Sequence, residues 1–232
     1  MENWVLVLDS GIGGLWTLKK LQKSLPKENF LFFMDKLNAP YGNKSYKKLN
    51  RLVCQNVKKI REKYKIKAIV LACNTASSVC FNQLKNQNID LPIIKIQPFL
   101  DKSKFEGNTL ILATDNTAKF CPEIKQIVDN KTIFLQSFGT LAKQIDNSNG
   151  NFDAVLPFLR QNLCKYLHMN IKSIVLGCTH YNFIMPQLKK IFGNVKFFEN
   201  SQVVAKECKK VLEQNANQKK SGDGRTIIFC KI

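Results

Sequence analysis

The chain has 232 residues, 44% of them hydrophobic, which is enough for two modest cores, but no apolar run approaches the roughly 20 residues of a membrane helix. Its net charge of +19 would suit nucleic acid, yet the lysines come in scattered pairs (Lys19 and Lys20, Lys47 and Lys48, Lys58 and Lys59, Lys189 and Lys190, Lys209 and Lys210) at spacings that set them on the wet faces of helices. Nucleic acid is therefore not an expected partner, and the eight cysteines, with no CxxC or CxxH spacing, exclude a disulfide scaffold and a structural zinc.

The chain opens directly on the strand-like WVLVLDSG, with no basic leader or cleavage site, so a soluble cytoplasmic protein with no membrane partner is expected. Strand patterns at 4–8, 30–34, 68–72 and 93–96 alternate with helical patterns at 14–25, 46–64 and 76–86. The order then recurs, with strands at 109–113, 133–135, 174–176 and 195–198 and helices at 117–128, 155–168 and 183–192. This alternation predicts an α/β fold of two similar lobes, each a mainly parallel sheet flanked by helices, with a site between them. Gln97-Pro98 marks the first crossing, and a Ser221-Gly222-Asp223-Gly224 turn leads a last strand, 226–230, back again. Residues 1–97 plus 210–232 then form the first lobe and 98–209 the second. The polar run 146–151 reads as a loop within the second lobe.

The duplication is visible in the letters. IKAIVLACNT at 66–75 returns as IKSIVLGCTH at 171–180, so each half has one strand that ends on a cysteine, Cys73 or Cys178. A thiol at the start of a helix feels the positive end of the dipole, which predicts a pKa lowered from about 8.5 toward neutral. Asn74, Thr75 and Thr179 add hydrogen-bonding side chains at the same turns. Two such bases facing across a cleft are what inversion at a carbon requires: one removes the α-proton and the other returns a proton to the opposite face. A nucleophilic Cys178 activated by His180 is the rival arrangement, but it leaves Cys73 without a use. His168 lies on a helical face and reads as structural.

Two further turns follow strands. Asp9-Ser10-Gly11-Ile12-Gly13-Gly14 can present amide N–H groups to a carboxylate beside Asp9. It is not GxGxxG, and no acidic residue is expected at the proper place after a second strand, so a dinucleotide is not predicted. Asn38-Ala39-Pro40-Tyr41-Gly42-Asn43-Lys44-Ser45 offers an amide and the Tyr41 phenol at the edge where open α/β sheets bind ligands.

DSGIGGL, NAPYGNKS, LACNTAS and LGCTHY, in this order, resemble the signature segments of the glutamate racemases, within the aspartate/glutamate racemase superfamily, and the resemblance spans about residues 5–223. It implies that Cys73 and Cys178 are the catalytic acid/base pair, assisted by Asp9 and His180. It implies a substrate site of Asp9, Ser10, Tyr41, Gly42, Asn74, Thr75, Thr179 and His180. It further implies two lobes, frequent homodimers, D-glutamate for peptidoglycan, and no metal, pyridoxal phosphate or nucleotide cofactor. Two positions depart from the pattern: Asn182 stands where a proline is usual after the second motif, and the family's second-lobe glutamate has no match, the stretch 138–146 offering Lys143, Gln144 and Asp146. A racemase for aspartate or another amino acid, and a non-catalytic binding protein for an acidic amino acid, are the alternative readings.

Overall fold

In the computed structural model, which describes residues 2–215, 219 and 222–231, the short apolar runs become parallel strands in two separate sheets. The first holds β1 (Asn3–Asp9), β2 (Phe30–Met34), β3 (Lys65–Leu71), β4 (Ile93–Lys95) and β9 (Thr226–Cys230) in the order β4-β3-β1-β2-β9. The second holds β5 (Asn108–Thr114), β6 (Ile133–Phe138), β7 (Ile171–Gly177) and β8 (Lys196–Phe198) in the order β6-β5-β7-β8. Strands buried on both faces need apolar residues at every position, as in the wholly buried Trp4 to Leu8.

The repeated segment forms β3 and β7, and even its irregularity is repeated. Along β1, Trp4 pairs with Ile66 and Val5 with Ala68, skipping Lys67; along β5, Asn108 pairs with Ile171 and Thr109 with Ser173, skipping Lys172. Both copies thus bulge at the same lysine. The two differ in what that lysine does: Lys67 is buried in an ion pair with Glu28 at 2.5 Å, while Lys172 is exposed.

Helices α1 (Gly14–Ser24), α2 (Tyr46–Lys63) and α3 (Asn74–Gln87) cover the first sheet. Helices α4 (Asp115–Phe120), α5 (Pro122–Ile127), α6 (Leu141–Asn147), α7 (Leu156–Leu163) and α8 (Met185–Phe192) cover the second, and α9 (Ser201–Gln214) follows β8. Each sheet has a core on both faces. Leu49, Val53 and Val79 lie on one face of the first sheet and Leu18 and Leu21 on the other; Leu159 and Leu188 face Ile124 across the second.

Several boundaries differ from the sequence reading. The expected helix 117–128 is two helices, because Pro122 has no N–H and forces Cys121 out of the helical region, to φ −89° and ψ 104°. The expected helix 155–168 is α7 between two 3-10 turns, Phe152–Val155 and Cys164–Met169. Within 146–151, the first two residues belong to α6, a seven-residue helix whose period is too short to read. The division at residue 209/210 falls inside α9, whose apolar stripe Val204, Ala205, Cys208 and Leu212 is buried with Leu18 and Leu21 of α1. Ser201 Oγ also lies 3.1 Å from Thr17 Oγ1 of α1. α9 thus packs on α1 from its first residue onward. β9 then pairs in parallel with β2, while Ser221 of the expected turn lies outside the described residues.

Candidate active site

Both sheets have the same switch point. From β1 the chain goes to β2 on one side and then to β3 on the other; from β5 it goes to β6 and then to β7. Connections that part in opposite directions leave a crevice beyond the carboxyl ends of β1 and β3, and another beyond those of β5 and β7. The lobes set these crevices face to face. Ser10, Tyr41, Gly42, Cys73 and Thr75 of the first lobe line one cleft with Cys178 and His180 of the second. Its volume is about 10 Å³, close to the roughly 10–15 Å³ that a single water needs, so the lobes are closed on each other.

The two thiols are equally buried, each 6% exposed, and have different neighbours. Cys73 caps the N-terminus of α3, with Ser10 Oγ 3.8 Å from its sulfur. Burial, then the nearby Asp9, push its thiol up to about 12, against the pull of the Ala76 N–H. This corrects the expected drop toward neutral at Cys73: the helix terminus does act on it, but desolvation and a carboxylate act more strongly. Cys178 precedes a 3-10 turn, Thr179–Ile184, and its sulfur lies 3.8 Å from His180 Nδ1. His180 Nε2 faces Asp146 of α6 at 3.2 Å. Burial alone would lower the imidazole pKa, but the contacts with Asp146 and Cys178 outweigh it and hold it well above its ordinary value.

Asp9 is wholly buried behind the cleft wall. It accepts from Gly11 N at 2.9 Å and from Thr179 Oγ1 at 3.0 Å, the second bond crossing between lobes. Burial raises its pKa to about 6, opposed by the His180 charge and these donors. Thr179, like Asp9, is absent from the cleft surface, and so is Asn74, whose buried Oδ1 has no hydrogen-bond partner among the described residues. The close approach of the lobes here requires glycine: a Cβ at Gly11 would stand 2.5 Å from His180 Nε2.

Tyr41 lines the cleft, but its phenol is not offered to a ligand as the sequence suggested. The hydroxyl donates to Asp35 Oδ2 at 2.7 Å. Asp35, which follows β2 directly and is fully buried, is the acidic residue that the sequence reading said was missing there. It also accepts from Asn38 and Asn56 and is not turned toward a ribose site.

Sequence reasoning did not select several residues that the fold brings in. Thr114, Gly139 and Ala142 line the cleft, and so does Asp146, which the sequence offered only as one of three residues in 138–146. Thr75 Oγ1, Thr114 Oγ1 and Thr117 Oγ1 form a buried hydroxyl cluster, with Thr75 and Thr114 2.8 Å apart across the lobes. Asn116 donates from its side chain to Tyr41 O and Lys44 O, and from its N–H to Gly42 O. Thr114 was foreshadowed only by its place at a strand end. Among the described residues no group of three or more His, Cys, Asp or Glu could hold a metal ion, and no helix is long and apolar enough to cross a membrane.

Two parallel-sheet lobes that each bring one strand-end thiol to a shared cleft define a class of two-lobed α/β amino-acid isomerases. Crystal structures of this class include *Escherichia coli* glutamate racemase with L-glutamate and the activator UDP-MurNAc-ala, 26% identical with a TM-score of 0.84 over 99% of this chain and 89% of that one. The *Thermus thermophilus* glutamate racemase bound to β-chloro-D-alanine is 27% identical, with a TM-score of 0.81 over 99% and 88%. No family model matches the chain. A curated relative, the glutamate racemase of *Clostridium botulinum* strain Okra, is 35% identical over 229 residues, 95% of this chain and 88% of its own length. The chain belongs to the glutamate racemase family.

Proposed function

We propose that the protein interconverts L- and D-glutamate without a cofactor, by a two-base mechanism in which Cys73 and Cys178 act on opposite faces of the α-carbon. One observation carries this reading: the two thiols that the repeat set at equivalent strand ends line one closed cleft. Inversion needs one group deprotonated and the other protonated at the start of each turnover, and the two thiols have different neighbours. Asp9 and burial keep Cys73 a thiol. His180, anchored by Asp146, sets its Nδ1 3.8 Å from the Cys178 sulfur, placed to exchange a proton with it. Cys178 then takes the α-proton and Cys73 supplies one from the other side. In the reverse direction the roles exchange.

The hydroxyls of Thr75 and Thr114 and the N–H groups of Tyr41 and Gly42 are suited to a carboxylate, and Ser10 with the ionised Asp9 behind it to the ammonium group. Fixed donors in a site free of water lower the cost of the developing carbanion. By family membership the D-glutamate serves peptidoglycan synthesis in the cytoplasm, and a homodimer is the assembly we assign.

The test is proton exchange. Purified protein in heavy water, with no added cofactor, incorporates deuterium at the α-position of glutamate while the circular dichroism of either enantiomer decays to zero. Cys73→Ala and Cys178→Ala each lower racemisation by about 10² to 10⁴-fold. A folded protein that leaves both signals unchanged at high concentration removes the racemase reading. Full activity in either variant removes the two-base mechanism.

A further inference from the structure

A second cavity, of about 180 Å³, opens on the outside of the first lobe between α2 and the edge strand β9. Its walls are Phe33, Ile60, Tyr64 and Phe229, with the Tyr64 and Phe229 rings set edge to face, centroids 5.5 Å apart. Three ammonium groups, Lys59, Lys63 and Lys231, stand around these apolar walls, and among the described residues no carboxylate lines the cavity. No carboxylate among the described residues pairs with Lys59 or Lys63. Aromatic walls under a cationic rim, of which Lys231 alone has a carboxylate, Asp35 at 3.9 Å, among the described residues, select a ligand with an apolar body and one anionic group. The volume, below the usual 300 Å³ of drug-sized sites, limits that body to one or two fused rings.

The cavity also adjoins the cleft through a hydrogen-bonded chain. Lys231 Nζ donates to Asn56 Oδ1 at 3.1 Å and lies 3.9 Å from Asp35 Oδ1; Asn56 Nδ2 donates to Asp35 Oδ2 at 2.8 Å; and Asp35 Oδ2 accepts from the hydroxyl of Tyr41, which lines the cleft. The main chain of Lys231 is fixed, its N–H bonded to Met34 O and its carbonyl to Leu37 N, the residue that starts the turn toward Tyr41. An anion in the cavity therefore competes with Asp35 and Asn56 for one ammonium group whose backbone cannot follow it.

We propose that this cavity binds a compact aromatic carboxylate and that its occupancy is felt at the cleft through Lys231, Asn56, Asp35 and Tyr41. The assignment stands on its own geometry and goes beyond the racemase reading, and its test needs no turnover. Indole-3-acetate serves as the probe, followed by NMR on protein with ¹³C-labelled tyrosine rings, the Tyr41 signal being assigned from Tyr41→Phe. For a ligand of this size the expected Kd is roughly 0.1 to 1 mM. The Tyr64 and Tyr41 signals shift along one saturation curve while that of Tyr166, in the second lobe, stays in place. In the doubly reversed Lys59→Glu/Lys63→Glu variant, which alters only exposed side chains, the affinity falls by at least about tenfold. Tryptamine, of similar shape and opposite charge, produces no such shift. No saturable Tyr64 shift, an equal response to tryptamine, or unchanged affinity in the variant overturns the site. A Tyr64 shift with a motionless Tyr41 overturns the coupling. Loss of racemase activity alone changes none of these readings, so the failure of one proposal is distinguishable from the failure of the other.

Discussion

Asp9 and Asp146 are both carboxylates near the thiols, and their surroundings give them different work. Asp9 has no exposure, and burial raises its pKa from 3.8 to about 6. A carboxyl raised on folding binds its proton more tightly in the native state, so its contribution to stability is full below about 4 and is lost as pH rises through about 6. The shift corresponds to about 3 kcal/mol. Urea unfolding of Asp9→Asn, compared with the unaltered protein, therefore shows a stability difference that moves in favour of the variant by about 2 to 3 kcal/mol between pH 4 and 7. A difference that stays constant with pH contradicts the raised pKa. If ionised Asp9 holds the substrate ammonium, kcat/KM also rises through about pH 6, and this limb disappears in the variant. Asp146 acts through another group: it touches His180, not Cys178. Asp146→Asn is expected to lower kcat by about 10 to 100-fold, with a smaller change in KM, and to move the high-pH limb of the profile downward as the imidazole loses its partner. A variant with equal losses in kcat and KM, or none, shows that the pair only shapes the fold. Asp9 stands in a motif that the sequence singles out, while Asp146 is only one of three residues offered by the stretch 138–146. Cys73, Cys178 and His180 stand in adjacent, repeated motifs, whereas Asp146 reaches His180 over 34 positions from a helix too short to have a visible period.

At the scale of elements the sequence is most legible where burial is symmetric. β1, β3, β5 and β7, buried on both faces, are continuous apolar runs, and the repeat identifies which of them are equivalent. It fails where one residue overrides a pattern, as Pro122 does, or where a helix such as α9 carries an apolar stripe suited to either lobe. The difference between the copies just before the cysteine, Ala72 against Gly177, has a local cause. A Cβ on Gly177 would meet Leu112 O at 2.7 Å and Pro98 Cγ at 3.4 Å, where the linker crosses beneath β7. Ala72 has its methyl in the core of the first lobe. Gly177→Ala should then destabilise the protein by about 1 to 3 kcal/mol through overpacking against backbone, and Ala72→Gly by about 1 kcal/mol through lost burial and chain entropy. Chemical denaturation measures both. A Gly177→Ala protein within about 0.5 kcal/mol of the parent shows that the strand moves aside freely and that the two copies are interchangeable at this position.

For the whole molecule the governing fact is closure. A cleft of about 10 Å³ admits no amino acid, so substrate enters only when the lobes part. The two sides of the cleft are joined differently. On one, Gly11 and Gly13 press against His180 and Thr179, and the Thr179–Asp9 bond is buried. On the other, Asn116 holds the 41–44 turn by its side chain and main chain, beside the exposed Asn43. Opening on the second side separates the three Asn116 bonds and the buried Thr75–Thr114 hydroxyl contact. Asn116→Ala removes two of its three bonds, each worth about 1 kcal/mol, and shifts the lobes toward the open form by roughly three- to thirtyfold. Because substrate must restore that closure at the expense of its own binding, KM for glutamate should rise by a similar factor while kcat stays within about threefold. Small-angle scattering supplies the structural half: the parent contracts when saturated with glutamate, and the variant starts more extended and contracts further. Equal KM values, together with radii of gyration that do not respond to glutamate in either protein, would mean that the lobes do not open at this edge and that access lies on the glycine side.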